Sequence, residues 1–172
     1  MTTIEIMKQR YSVRKYQDRA VEPEKLAQIL EAAHVAPSAA NLQPVRILVV
    51  QSKEGLKKLG KAAALYHAPL ALLVCADLNK AWTRPFDGKK HGDVDASIVT
   101  DHMMLRATEL GLGSVWICRF KPDVVREAFA LPENLEPVNI LAVGYADGQP
   151  ADPQRHSTTR KPMEELVSYE SL

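Results

Sequence analysis

Only two cysteines, Cys75 and Cys118, occur in the 172 residues. They form no CxxC pair and no metal-ligand spacing, which argues against a disulfide framework and a thiolate metal site. Both lie in apolar, strand-like runs, so the expectation is two buried, reduced thiols in a cytoplasmic protein. Net charge is almost absent as well: 22 Lys+Arg face 21 Asp+Glu, a formal +1. With no basic stripe, that balance argues against nucleic acid or an anionic membrane as a partner. No run approaches the roughly 18 consecutive apolar residues of a membrane span. The start, MTTIEIMKQR, has no long apolar stretch behind a basic leader and does not read as a signal peptide. Internal repeats, low-complexity blocks and a Walker motif are all missing. The histidines, at 34, 67, 91, 102 and 156, show no metal-ligand pattern, so no metal is expected.

What is present fits one domain over residues 1–172, with 46% hydrophobic and 25% charged residues. Thr2 or Thr3 can cap a short helix through Gln9, with Ile4 and Met7 on one face. RYSVRKYQ then breaks the helical pattern and reads as extended. Over residues 22–36, Leu26, Ile29, Leu30 and Ala33 fall at i, i+3, i+4 and i+7, a helix that Pro37 ends. Arg46–Gln51 reads as a strand, and Ser52 can cap a helix reaching about Ala64. The unbroken apolar run Pro69–Ala76 has the length of a central strand. Residues 78–92 form a long polar loop carrying Trp82, Phe86 and His91, a candidate lid or a surface loop with buried anchors.

A long helix is expected from Asp93 or Asp95 to Leu110. Ala96, Val99, Met103, Ala107 and Leu110 form one apolar stripe, and Val94, Ile98 and Leu105 lie on another side. Such a helix is expected between two layers. Asp95 and Asp101 read as cap or solvent-facing residues. Ser114–Cys118 is a strand, Pro122–Ala130 a short helix and Val138–Tyr145 a last central strand. The tail, 149–172, has too little apolar content to fold alone. The sum is a layered α+β domain with helices on both faces of a sheet.

Three segments carry candidate chemistry. In an extended Arg10-Tyr11-Ser12-Val13-Arg14, residues i, i+2 and i+4 share a face. Arg10, Ser12 and Arg14 would then present two guanidiniums and a hydroxyl, suited to a phosphate or a polarised ring oxygen. On spacing alone, a solvated basic edge accounts for the pattern better. In Pro37-Ser38-Ala39-Ala40-Asn41-Leu42-Gln43-Pro44, small side chains permit close approach of a flat ligand, and Ser38, Asn41 and Gln43 offer donors and acceptors. On its own, a helix-terminating loop that satisfies its own backbone explains it better. Gly111-Leu112-Gly113-Ser114 follows a helix and lacks the spacing of a dinucleotide fingerprint. By itself it is a helix stop before a strand.

Taken in order, RYSVRKY, APSAANLQPVR, DVDASIVTDHMMLRATELGLGSVWI and RKPMEELV resemble the nitroreductase family of flavoproteins, from Arg10 to Val167. The resemblance implies a central, mostly antiparallel sheet, a homodimer joined through long helices, and one flavin mononucleotide (FMN) per subunit at the interface. By resemblance, Arg10, Tyr11, Ser12 and Arg14 would meet the flavin phosphate or ring. Pro37, Ser38, Ala39, Asn41 and Gln43 would lie along the ring, and Asn41 could reach it across the dimer. Gly113 and Ser114 would approach from the strand start, and Arg160 with Lys161 would close on the phosphate. The tail would pack on the partner subunit.

The implied activity is electron transfer from NADH or NADPH through the flavin to a small acceptor, such as a nitroaromatic, a quinone or an unsaturated carbonyl. It would be ping-pong and need no catalytic side chain. Other flavin chemistry on the same fold (dehalogenation or flavin destruction) and a non-catalytic flavin store are the alternatives. Two departures stand out. Larger members carry a Glu-Gly pair where this chain has Cys118-Arg119, and they have a helical insertion that is missing here.

Overall fold

The computed structural model describes residues 1–171, so Leu172, the last residue of the expected tail, lies outside the described residues. Four strands, β1 (Val45–Val50), β2 (Leu70–Asp77), β3 (Gly113–Ile117) and β4 (Leu135–Gly144), form one sheet in the order β1-β2-β4-β3. Every neighbouring pair is antiparallel. The apolar run at β2 is buried at every position, as a strand flanked and covered on both faces must be. β4 starts at Leu135, three residues before the expected Val138, because it pairs with β2 down to Leu135↔Asp77.

Seven α-helices among the described residues flank the sheet: α1 (Thr3–Gln9), α2 (Pro23–His34), α3 (Lys53–Leu59), α4 (Gly92–Glu109), α5 (Pro122–Phe129), α6 (His156–Thr159) and α7 (Met163–Leu166). Thr2 and Glu5 close a reciprocal capping box on α1, with Glu5 Oε2 accepting from Thr2 N at 2.7 Å. Ser52 caps α3 through Gly55 N at 3.0 Å. That helix stops at Leu59, short of Ala64, and the chain continues in turns. Prolines set the starts of α2 and α5.

One core lies between the sheet and α2 with α4, around Ile29, Leu72, Met103 and Leu141. The other lies on the opposite face, around Leu59, Leu73, Val125 and Ile140. The α4 stripe Ala96, Val99, Met103 and Ala107 is buried against the sheet. Among the described residues its other side is only partly covered: Val94 is 42% exposed, and Ile98 and Leu105 are half-buried. Ile4 and Met7 of α1 and Met163 and Leu166 of α7 are exposed as well.

The two thiols differ. Cys75 is buried, which pushes its pKa up to about 11. Cys118 is exposed, contrary to the expectation of burial, because β3 ends at Ile117 and the chain leaves the sheet there. Among the described residues, no helix is long and apolar enough to cross a membrane. Nor do three or more metal-ligating side chains cluster there.

Candidate functional site

The segment Arg10–Arg14 is extended, as its composition predicts, and runs beside β3. Ser12 bridges Ser114 in parallel, and Val13 N donates to Ser114 O at 2.9 Å. Alternation then decides the side chains: Val13 is buried while Ser12 and Arg14 are exposed. Gly113 also has a packing role. A Cβ there would meet Val13 Cγ2 at 2.5 Å, so the missing side chain makes room for Val13 and thereby seats the arginine segment on the strand. Ser114 is buried, and its hydroxyl has no hydrogen-bond partner.

The tail returns to this corner. Arg155 donates to Lys8 O at 3.0 Å and to Arg10 O at 2.6 Å, and His156 Nε2 lies 3.3 Å from Lys8 O. The first part of the tail is therefore tied to α1 of its own chain. Three guanidiniums, of Arg10, Arg155 and Arg160, now share one neighbourhood. Partial burial pulls the Arg10 pKa down, the charges of Arg155 and Arg160 pull it further, and Asp101 offsets part of this. None of the three is in an ion pair among the described residues. Lys161 pairs instead with Glu165 at 3.2 Å. Arg155 was missed in the sequence because its role depends on which backbone carbonyls the fold brings to it.

The loop Pro37–Pro44 lies elsewhere. It leads into β1, the opposite edge strand, and strand directions put it at the opposite end from the start of β3. Three strand spacings alone separate the edges by roughly 14 Å. One chain therefore does not bring residues 10–14 and 37–43 together. The loop is strained and self-tied. Ala40, Asn41 and Gln43 all have positive φ, at 50°, 54° and 50°, which non-glycine residues adopt at a cost. Gln43 N donates to Ser38 Oγ at 3.0 Å, and Gln43 Nε2 donates to Asn41 O at 3.2 Å. Pro37, Asn41 and Gln43 are exposed, and Ser38 and Ala39 partly so.

What holds this loop is Asp95, and the expectation of a cap or solvent-facing residue is corrected here. Asp95 is 1% exposed, and its Oδ1 accepts from Ala39 N at 2.9 Å, while Oδ2 is buried without a partner. The loop after α2 reaches the start of α4 because the two helices pack side by side. Asp95→Ala is expected to speed hydrogen exchange of the Ala39 amide about ten- to hundredfold, the loss of one charge-assisted bond. Asp95→Asn, which keeps an acceptor oxygen, should retain most of the protection. Equal exchange in all three proteins, followed by NMR, would show that Asp95 does not hold the loop.

The loop 78–92 is braced internally. Trp82 and His91 pack with ring centroids 5.2 Å apart, and Thr83 bridges Lys90. Phe86, at the tip, is 94% exposed.

The model of the Nitroreductase family matches residues 7–65 and 57–145. The chain belongs to the nitroreductase family. A solved nitroreductase family protein from Clostridium difficile is 60% identical, with a TM-score of 0.98 and full coverage of both chains. A second structure from that species, an FMN-dependent nitroreductase, is 30% identical with a TM-score of 0.80, covering 98% of this chain and 99% of its own. An FMN reductase [NAD(P)H] of Bacillus subtilis is 33% identical over 184 residues, 92% of this chain and 74% of that protein. The nitroreductase fold expected from the sequence, with its antiparallel sheet, is the fold observed.

Proposed function

We propose that this nitroreductase family member is an FMN-dependent NAD(P)H oxidoreductase, acting as a homodimer with each flavin held between two subunits. The observation that carries the dimer is the placement of the two expected half-sites at diagonal corners of one sheet. A second copy related by two-fold symmetry can supply residues 37–43 to the corner that holds Arg10, Ser12 and Arg160. The uncovered side of α4, with the exposed apolar residues of α1 and α7, offers the contact area. Support for the cofactor and donor comes from family membership and from the related FMN reductase and FMN-dependent nitroreductase.

The residues suit the group. Three unpaired guanidiniums match one terminal phosphate, and the unpartnered Ser114 hydroxyl can meet a polar atom of the ligand. When bound, the flavin supplies the redox chemistry, accepting hydride equivalents from reduced nicotinamide and releasing electrons to an acceptor. Arg10, Arg155 and Arg160 hold the phosphate. Arg14, four residues further along the same extended segment, would oppose negative charge at the ring's pyrimidine end. The partner's loop 37–43 closes over the ring and keeps water out. No side chain is needed as nucleophile or essential acid. A flavin held there would take electrons from the donor before the acceptor binds, so kinetics should be ping-pong, and the acceptor would be a small, flat, reducible molecule such as a nitroaromatic or quinone.

The test combines an absorption spectrum, sedimentation and steady-state NAD(P)H oxidation. A yellow dimer that oxidises the donor only with an added acceptor is expected. A colourless protein that cannot be reconstituted with flavin would sink the cofactor assignment. A flavin-loaded monomer of about 19 kDa that turns over would sink the shared site, and bound flavin without donor oxidation would make the protein a store.

A further inference from the structure

A cavity of about 1010 Å³ lies between the segment 14–20, α3 and the turn 63–69. Nothing in the proposed flavin chemistry uses it, although Arg14 joins the two. Its volume is at the upper end of the range of ordinary ligand pockets, about 300–1,000 Å³. Four basic side chains from three segments face it: Arg14, Lys53, Lys57 and His67. None is in an ion pair among the described residues. The carboxylate available on α3, Glu54, is engaged by Lys58 at 3.0 Å instead. Asp18 is the one acidic residue in the lining.

The walls are aromatic and fixed. Tyr16 is buried, with its hydroxyl donating to Ala142 O at 3.2 Å. Tyr66 and His67 stand at φ of 56° and 61°, a conformation that bulky side chains enter only when the surroundings impose it. Two successive strained residues thus turn their side chains to one cavity. Flat apolar walls under a surplus of cations suit a purine nucleotide carrying phosphate.

We propose that this cavity binds the phosphorylated adenosine half of the reduced nicotinamide donor, with Lys53 and Lys57 on its 2′-phosphate. The protein therefore prefers NADPH to NADH. The proposal rests on the oxidoreductase reading above, and extends it by locating donor selectivity on α3, away from the flavin phosphate.

The experiment compares wild type with Lys53→Gln/Lys57→Gln, both carrying flavin. Calorimetry with adenosine 2′,5′-bisphosphate and with adenosine 5′-monophosphate reads the cavity directly. Steady-state kinetics with each donor reads its use. The bisphosphate is expected to bind wild type more tightly than the monophosphate and to lose about ten- to hundredfold in the variant. KM for NADPH should rise by a similar factor, while kcat, flavin affinity and KM for NADH stay within about twofold, since uniform binding alone is removed. Equal affinity of wild type for the two nucleotides, unchanged binding in the variant, or equal effects on both donors would overturn the proposal. A fall in flavin affinity would do so too, by assigning the lysines to the flavin. Should neither donor be oxidised, the oxidoreductase reading fails, and the calorimetry still decides whether the cavity takes a 2′-phosphate.

Discussion

Arg10→Ala is expected to weaken flavin mononucleotide binding about ten- to hundredfold while leaving the melting temperature of the flavin-free protein unchanged or slightly higher. The two halves of this result have one cause. Arg10 lies partly buried beside Arg155 and Arg160, and each of these depresses its pKa. Without an anion the cluster is repulsive, so removing one charge relieves the folded state. With a phosphate bound, the same guanidinium makes a charge-assisted bond whose loss costs about 1.5–3 kcal/mol. The tail anchor should survive, because Arg155 bonds the backbone oxygens of Lys8 and Arg10 rather than the Arg10 side chain. Arg160→Ala should act in the same direction. These neighbours share one ligand group, so their effects need not add. Fluorescence titration gives the affinity, and melts of the flavin-free proteins give the stability. Unchanged affinity with a destabilised apo-protein would assign the arginines to folding instead.

Gly113→Ala is expected to lower stability by about 1–3 kcal/mol, the usual cost of overpacking a filled site. For a chain of this size that is roughly 2–4 °C in melting temperature per kcal/mol. The added methyl group would stand where Val13 Cγ2 and Cβ now lie, 2.5 and 3.1 Å away. Val13 is buried and tied to the strand through Ser114 O. It sits between Ser12 and Arg14, so displacing it moves both of these neighbours in the proposed flavin-binding segment. Flavin affinity should therefore fall with stability. Making room should help: Gly113→Ala/Val13→Ala is expected to regain part of both relative to Gly113→Ala alone. If the glycine served only to let a flavin approach, shrinking Val13 would not restore binding. A double variant no better than Gly113→Ala in either measurement would refute the packing role.

Local rules carried much of the fold. The apolar run 69–76 is a central strand because its length and lack of alternation leave no exposed face. The period of Leu26, Ile29, Leu30 and Ala33 placed α2, and prolines marked its ends. The order of strands and helices, with the motifs RYSVRKY, APSAANLQPVR and GLGSVWI, was enough to recognise the nitroreductase family and its sheet. The strand and helix assignments are properties of neighbours along the chain: pleat, helical turn, cap and proline ring.

Other features depended on which distant segments meet. Asp95 became the buried clamp of loop 37–43 because α2 packs against α4, and sequence spacing contains no such contact. Cys118 is exposed because the last strand position is Ile117, a boundary set by pairing with β4. Gly113 is needed for Val13, a hundred residues earlier in the chain. Arg155 reaches the backbone of Lys8 and Arg10 because the chain after β4 runs back along residues 15–17. The sequence by itself determined the elements, because these follow from short-range sterics and hydrophobic periodicity, while the family and its antiparallel sheet were legible only through the resemblance of four ordered motifs. Tertiary structure alone decided that residues 10–14 and 37–43 stand at opposite corners and that four basic side chains line one cavity. Strand order and direction are set by long-range pairing, which no local pattern encodes.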